Sequence, residues 1–197
     1  RIIFNGNGYD DSWIKEATEK RGLCNYRTTA DCMPHILDEK NVRMLTSHKV
    51  FSEVELKSRY EIMLENYCKT VMIEACTMVD MAKKQILPAV SAYTTDLAES
   101  VGKKLKLGTD IACKYEKEAV KKLSILCDKI AEATDLLEGT LVKIKAAESI
   151  GEESEMIRDA VLVAMSELRV ACDEAETMTA EKYWPFPTYG ELLFGVR

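Results

Sequence analysis

Two histidines and seven cysteines are the side chains of this 197-residue sequence best suited to metal or nucleophilic chemistry. Cys24, Cys32, His35 and His48 could supply four zinc-type ligands, with Cys32 and His35 one helical turn apart. Their spacing fits no finger or ribbon, and no C-x-x-C pair occurs anywhere. An odd set of scattered thiols suits small reduced core residues better than a disulfide framework. Asn5-Gly6-Asn7-Gly8 lacks the third Gly of a dinucleotide loop and the Gly-Lys-Ser/Thr of a P-loop, so it reads as a turn. The carboxylate pairs Glu53/Glu55 and Glu152/Glu153 point to different sides of a helix and are better placed to favour the helix dipole than to converge on a substrate. No catalytic, cofactor-binding or metal-ligating residue is assigned.

The elements around these residues read as helical. Hydrophobic residues make up 47% of the chain, charged residues 30% and aromatics only 7%, the profile of a helical domain with an ample core. Residues 1–50 are irregular in pattern. A short helix is expected there, capped by Asp11 or Ser12, with Trp13, Ile14 and Ala17 inward and Gly22 as a left-handed stop. A second spans about Ala30 to Leu37. Ser52-Glu53-Val54-Glu55 then forms a capping box, with Phe51 and Leu56 as a hydrophobic staple.

From Glu53 a helix runs to about Leu105, with Pro88 expected to kink or interrupt it a turn earlier. Leu107-Gly108-Thr109-Asp110 offers a stop and a fresh N-cap for a second helix to about Ser149. There Ala119, Leu123, Leu126, Ile130, Ala133, Leu137, Leu141 and Ile144 recur at steps of three and four. Gly151 marks the next turn, and Ile157, Val161, Ala164, Leu168, Ala171, Ala175 and Met178 repeat the period in a third helix, from about Glu152 to Lys182. The expected fold is all-α: an elongated antiparallel bundle of three long helices over residues 51–182, preceded by a connector, 1–50, and followed by a Pro/aromatic tail, 183–197.

Charge and composition narrow the partners. A net charge of -6 argues against a general nucleic-acid binder or an anionic-membrane binder. Lys103 to Lys122 holds seven Lys against three acids, while the end of the third helix is acidic, so folding at Gly151 is expected to bring opposite signs together. Glu65-Lys69, Glu99-Lys103 and Glu118-Lys122 read as solvated i,i+4 pairs. With no apolar run long enough to span a membrane and no leader pattern, a cytoplasmic location is expected.

Helix one is apolar on more than one side at Ile62-Met63-Leu64, Val71-Met72-Ile73 and Met78 to Ala82, and residues before about Asn66 overhang the hairpin of the other two helices. Met63, Met72, Met78 and Met81 are therefore expected to dock onto a body outside this chain. Trp184, Phe186 and Tyr189 belong to an extended strap that packs rings into a groove, on this chain or a neighbour. Trp184→Ala or Phe186→Ala is expected to weaken assembly.

Ile2-Ile3-Phe4-Asn5-Gly6-Asn7-Gly8-Tyr9, Trp13 and the run Glu16-Ala17 to Lys20-Arg21-Gly22-Leu23 are similar to the segment that follows the catalytic domain in type III glutamine synthetases. Val50 to Leu56, Arg59-Tyr60-Glu61, Tyr67 to Ala75, Ile86-Leu87-Pro88-Ala89-Val90 and Trp184-Pro185-Phe186-Pro187-Thr188-Tyr189 resemble the same family's C-terminal region. The resemblance implies a protein that joins glutamate and ammonia with ATP and divalent metal, Mg or Mn, through a γ-glutamyl phosphate in a large ring. The family's metal and nucleotide ligands lie on strands of an upstream domain and match nothing here. The partners it implies are that upstream catalytic domain and neighbouring subunits of a homo-oligomer, and Arg1 reads as a cut rather than a beginning. A regulatory effector- or partner-binding helical module and an unrelated cytosolic adaptor are the alternatives.

Overall fold

The computed structural model describes residues 4–108 and 110–195, and every regular element among them is helical. The chain divides into two compact units, residues 1–67 and 68–197, with one helix running from the first into the second.

The first unit opens with α1 (Asp11–Lys15), which passes into a wider turn over Glu16–Lys20. Asp10 rather than Asp11 or Ser12 is its cap, accepting from the Ser12 amide, because Asp10 is the last residue with extended backbone. Gly22 ends the segment at φ 64°, the left-handed conformation that a residue without a Cβ adopts freely. Residues Thr29–Cys32 form α2, continued as a 3-10 turn over Met33–Leu37. A further helix, α3 (Glu39–Ser47), occupies a stretch read as irregular; it is short and polar on average, its few apolar residues share one face, and none of its residues is buried. Arg21 lies 5.0 Å from the Trp13 ring and 5.6 Å from Phe4, and those rings stack at 4.0 Å.

Helix α4 (Glu53–Met81) starts at the expected capping box: the Ser52 amide donates to Glu55 Oε2 at 2.7 Å and the Glu55 amide to Ser52 Oγ at 3.3 Å. Phe51 lies under the Arg59 guanidinium at 4.4 Å. A π-turn over Ala82–Ile86 then leads into α5 (Leu87–Leu107), with Pro88 in its first turn. The wider turn accommodates the proline's missing donor and bulky ring, so the helical path bulges instead of stopping.

The second long helix, α6 (Lys114–Ile144), is shorter at both ends than the pattern suggests. Its cap position is Cys113, which makes no side-chain cap bond, rather than a residue of Leu107-Gly108-Thr109-Asp110, of which Thr109 lies outside the described residues. The buried series is Ala119, Leu123, Leu126, Ile130, Thr134, Leu137, Leu141 and Ile144. Thr134 thus replaces Ala133 in the seam; its hydroxyl donates to the Ile130 carbonyl at 2.6 Å, which removes the penalty of burying it.

Ser149 caps α7 (Ile150–Met156), placing Gly151 inside the first turn instead of at a loop. A second π-turn, Ile157–Val161, joins it to α8 (Leu162–Met178), which stops before the expected Lys182 at the extended Thr179. Helix α6 packs against α5 and against α8. Two ion pairs fix the α5 side: Lys83 with Glu138 at 2.7 Å, and Lys104 with Glu116. Position rises on one helix as it falls on the other, so α5 and α6 run antiparallel.

The predicted attraction between the lysine run and the acids of the third helix is not what the ion pairs record. Among the described residues the ion pairs in those stretches are Lys103 with Glu99, Lys114 with Glu118 and Arg169 with Asp173 within helices, and Lys104 with Glu116 between α5 and α6. The cross-helix partner of the lysine run is thus α6 itself, through Lys104 and Glu116, while the remaining pairs have the short i,i+4 reach. Glu118 accordingly turns to Lys114, four residues earlier, instead of Lys122.

Candidate functional site

The chain ends in a tail with two halves. The first begins at Tyr183, whose ring lies 5.2 Å from Tyr93 and whose hydroxyl donates to the Asp96 carboxylate. Burial holds the Tyr93 phenol above its usual pKa, and a hydrogen bond to Tyr115 adds to it. Next, Trp184 and Phe186 meet edge to face at 6.0 Å. They border a cavity of about 230 Å³ whose apolar wall includes Met78, Met81, Ile86 and Leu168. Arg169, Cys172, Asp173 and Glu176 complete its lining. Burial pushes the Cys172 thiol up to about 11, so it stays protonated and unreactive at neutral pH.

The second half is α9 (Tyr189–Phe194), closed at its N-terminus by a capping box between Thr188 and Glu191. Its large apolar side chains face outward: Tyr189 is 83% exposed, Leu192 65%, Leu193 72% and Phe194 81%. A well-formed cap on a helix that buries nothing in this chain marks a preformed apolar hook.

The expected docking residues therefore separate. Met78, Met81, Trp184 and Phe186 share one cavity, and all are partly buried. Met72 is also partly buried and lines a different, shallow groove with Ile73, Cys76, Thr77 and Asp80. Met63 is exposed, like its neighbour Ile62, whereas Leu64 is fully buried. Tyr189 stands apart from Trp184 and Phe186, on the hook. Leu192, Leu193 and Phe194 fall in the tail expected to be an extended docking strap; the structure instead places them on a helix, and the spacing of a capping Thr188 to Glu191 is the signal for it.

The ligand-like residues near the start do not assemble a metal site. His35 stacks on Tyr26 at 4.1 Å and its Nδ1 is 3.0 Å from Asp38, while His48 ends α3. A hydrogen bond with Cys24 raises the Tyr26 pKa above its ordinary value. Among the described residues no three His, Cys, Asp or Glu side chains are grouped to hold a metal ion. Asn7 closes the Asn5–Gly8 turn by accepting from the Tyr9 amide at 3.1 Å, and a Cβ on Gly6 would meet the Phe4 ring at 2.3 Å. That glycine makes room for a ring. No helix of the described residues is long and apolar enough to cross a membrane.

Residues 1–105 match the family profile described as glutamine synthetase C-terminal domain. The chain is 38% identical over 197 residues to a glutamine synthetase of Butyrivibrio fibrisolvens, covering all of this chain and 28% of that protein. It is 31% identical over 198 residues to the type-3 glutamine synthetase of Dictyostelium discoideum, covering 98% of this chain and 27% of the relative. A glutamine synthetase of Bacteroides fragilis (strain YCH46) is 28% identical over 198 residues, with 98% and 27% covered. The chain thus spans little more than a quarter of the length of these curated relatives, and it belongs to the glutamine synthetase family, corresponding to its C-terminal domain.

Proposed function

We propose that this chain is the non-catalytic C-terminal domain of a type III glutamine synthetase, bracing the catalytic domain and holding subunits together in the cytoplasm. The outward-facing hook carries the reading: α9 is capped and apolar, and its four large side chains are exposed. A helix with that surface gains from burial against another body, at about 25 cal/mol per Å² of apolar area removed from water. The names of the relatives support a glutamate-ammonia ligase as the whole protein. ATP and Mg or Mn would belong to its other three quarters. Among the described residues no three His, Cys, Asp or Glu side chains are grouped to hold a metal ion, and no step of the ligase reaction is assigned to them.

The test compares the full-length protein with residues 1–197 alone in an assay for glutamine formed from glutamate, ammonia and ATP. The full-length protein is expected to be active and this chain inactive. Turnover by the chain alone would overturn the reading.

A further inference from the structure

The strap leaves its own cavity unfilled. Trp184 and Phe186 border it, yet both rings stay partly exposed, and about 230 Å³ is open beside them. Their planes stand at 74° with centroids 6.0 Å apart, so the two rings form adjoining walls of a corner. Pro185 and Pro187 flank Phe186 and fix φ on either side of it. Tyr183 ties the start of the strap to Asp96 and Tyr93, so the corner is held in place although neither of its rings is buried. Met78, Met81, Ile86 and Leu168 supply the rest of the apolar surface, and methionine adapts to a guest of irregular shape.

Charge gives the cavity a sign. Arg169, Asp173 and Glu176 are its ionised lining residues, and all three are exposed. Arg169 Nε is 3.3 Å from Asp173, so those two charges offset each other and Glu176 is left over. The cations of the neighbouring segments are engaged elsewhere: Lys83 with Glu138, Lys84 with Asp80, and Lys182 over the Tyr183 ring. Cys172 is a buried neutral thiol. A surplus carboxylate beside two π-faces attracts a cation and repels an anion. Volume sets the size of the guest. The cavity is smaller than the roughly 300–1,000 Å³ of sites for drug-sized ligands and far larger than one water needs, so it suits a small organic molecule. An inorganic cation would leave the apolar wall unused. We propose that this cavity binds a small organic ammonium ion, its apolar body against Met78, Met81, Ile86 and Leu168 and its charged head between the Trp184–Phe186 corner and Glu176. The site uses no residue of α9 and does not rest on the assembly role.

Cys172 lines the cavity, so its labelling by a thiol-specific reagent in the full-length protein, followed by peptide mass spectrometry, reads occupancy at the site itself. The probe is isopentylamine, which is protonated at neutral pH. Isopentanol is the uncharged control of the same shape, and 3-methylbutanoate the control of opposite charge. The amine is expected to halve the labelling rate at about 1 mM. The alcohol is expected to need at least about tenfold more, and the carboxylate to give no protection. Glu176→Gln, at an exposed position, is expected to keep the fold, to weaken protection by the amine about fivefold and to leave protection by the alcohol unchanged. Trp184→Leu, measured against its own unprotected rate, is expected to act in the same direction through the lost π-face; if it loosens the strap, Glu176→Gln decides alone. Equal protection by amine and alcohol, or protection by the amine that Glu176→Gln leaves untouched, would overturn the proposal. So would a Cys172 that stays unlabelled in the assembled protein with and without the amine, since another part of the assembly would then fill the cavity.

Discussion

Within a dozen residues the tail does two opposite things. Trp184 and Phe186 are spent on the chain's own cavity beside Met78 and Met81, whereas Tyr189, Leu192, Leu193 and Phe194 point away from it. Composition does not separate them, for both halves are aromatic and apolar. Backbone does: the first half is irregular and pinned by Tyr183 to Tyr93 and Asp96, while the second is a capped helix with nothing inward. One half strengthens its own unit and the other is available to a second body.

That contrast is open to attack by substitution. The reference is Leu137→Ala in the fully buried α6 seam, expected to cost about 3 kcal/mol in denaturant unfolding. Trp184→Ala removes a ring that is only partly buried and is expected to cost roughly half as much, about 1.5 kcal/mol. It is also expected to speed labelling of Cys172 by a thiol reagent. Phe194→Ala is expected to change stability by less than about 0.5 kcal/mol and to leave Cys172 labelling alone, since that side chain is 81% exposed. Equal destabilisation by Trp184→Ala and Phe194→Ala would erase the distinction between strap and hook. This revises the expectation that Trp184 and Phe186 act first on assembly: their first effect is on the unit that holds them.

A finer probe is pH. Burial raises the Cys68 and Cys172 thiols from 9.0 to about 11. In that window the folded state keeps protons that the unfolded chain releases. The contribution is therefore complete below pH 9 and is lost as pH rises from 9.0 to about 11. Cys172→Ala is expected to flatten this alkaline decline in unfolding midpoints, and a decline of unchanged steepness would show that the thiol titrates freely.

Much of the helical plan was legible because burial leaves a period. The α6 seam could be read from leucines and isoleucines alone, and the error of one position, Ala133 for Thr134, arose because a threonine bonded back to Ile130 is an acceptable core residue. Pro88 announced the first π-turn by its chemistry. The second, Ile157–Val161, has no such residue and could not be foreseen. Helix α3 is hard to read because it is short and polar on average, although its few apolar residues share one face. The strap's cavity depends on pairing Met78 with residues a hundred positions later, which no local pattern encodes.

The most direct test of the account is the mass of the full-length assembly, measured by light scattering, with Tyr189, Leu192, Leu193 and Phe194 all changed to Ser. The account predicts fewer subunits per particle with the unfolding midpoint of this domain and the affinity for ATP unchanged. An unchanged mass accompanied by a loss of ATP affinity would contradict it, and would assign the hook to the nucleotide site or to a regulatory module.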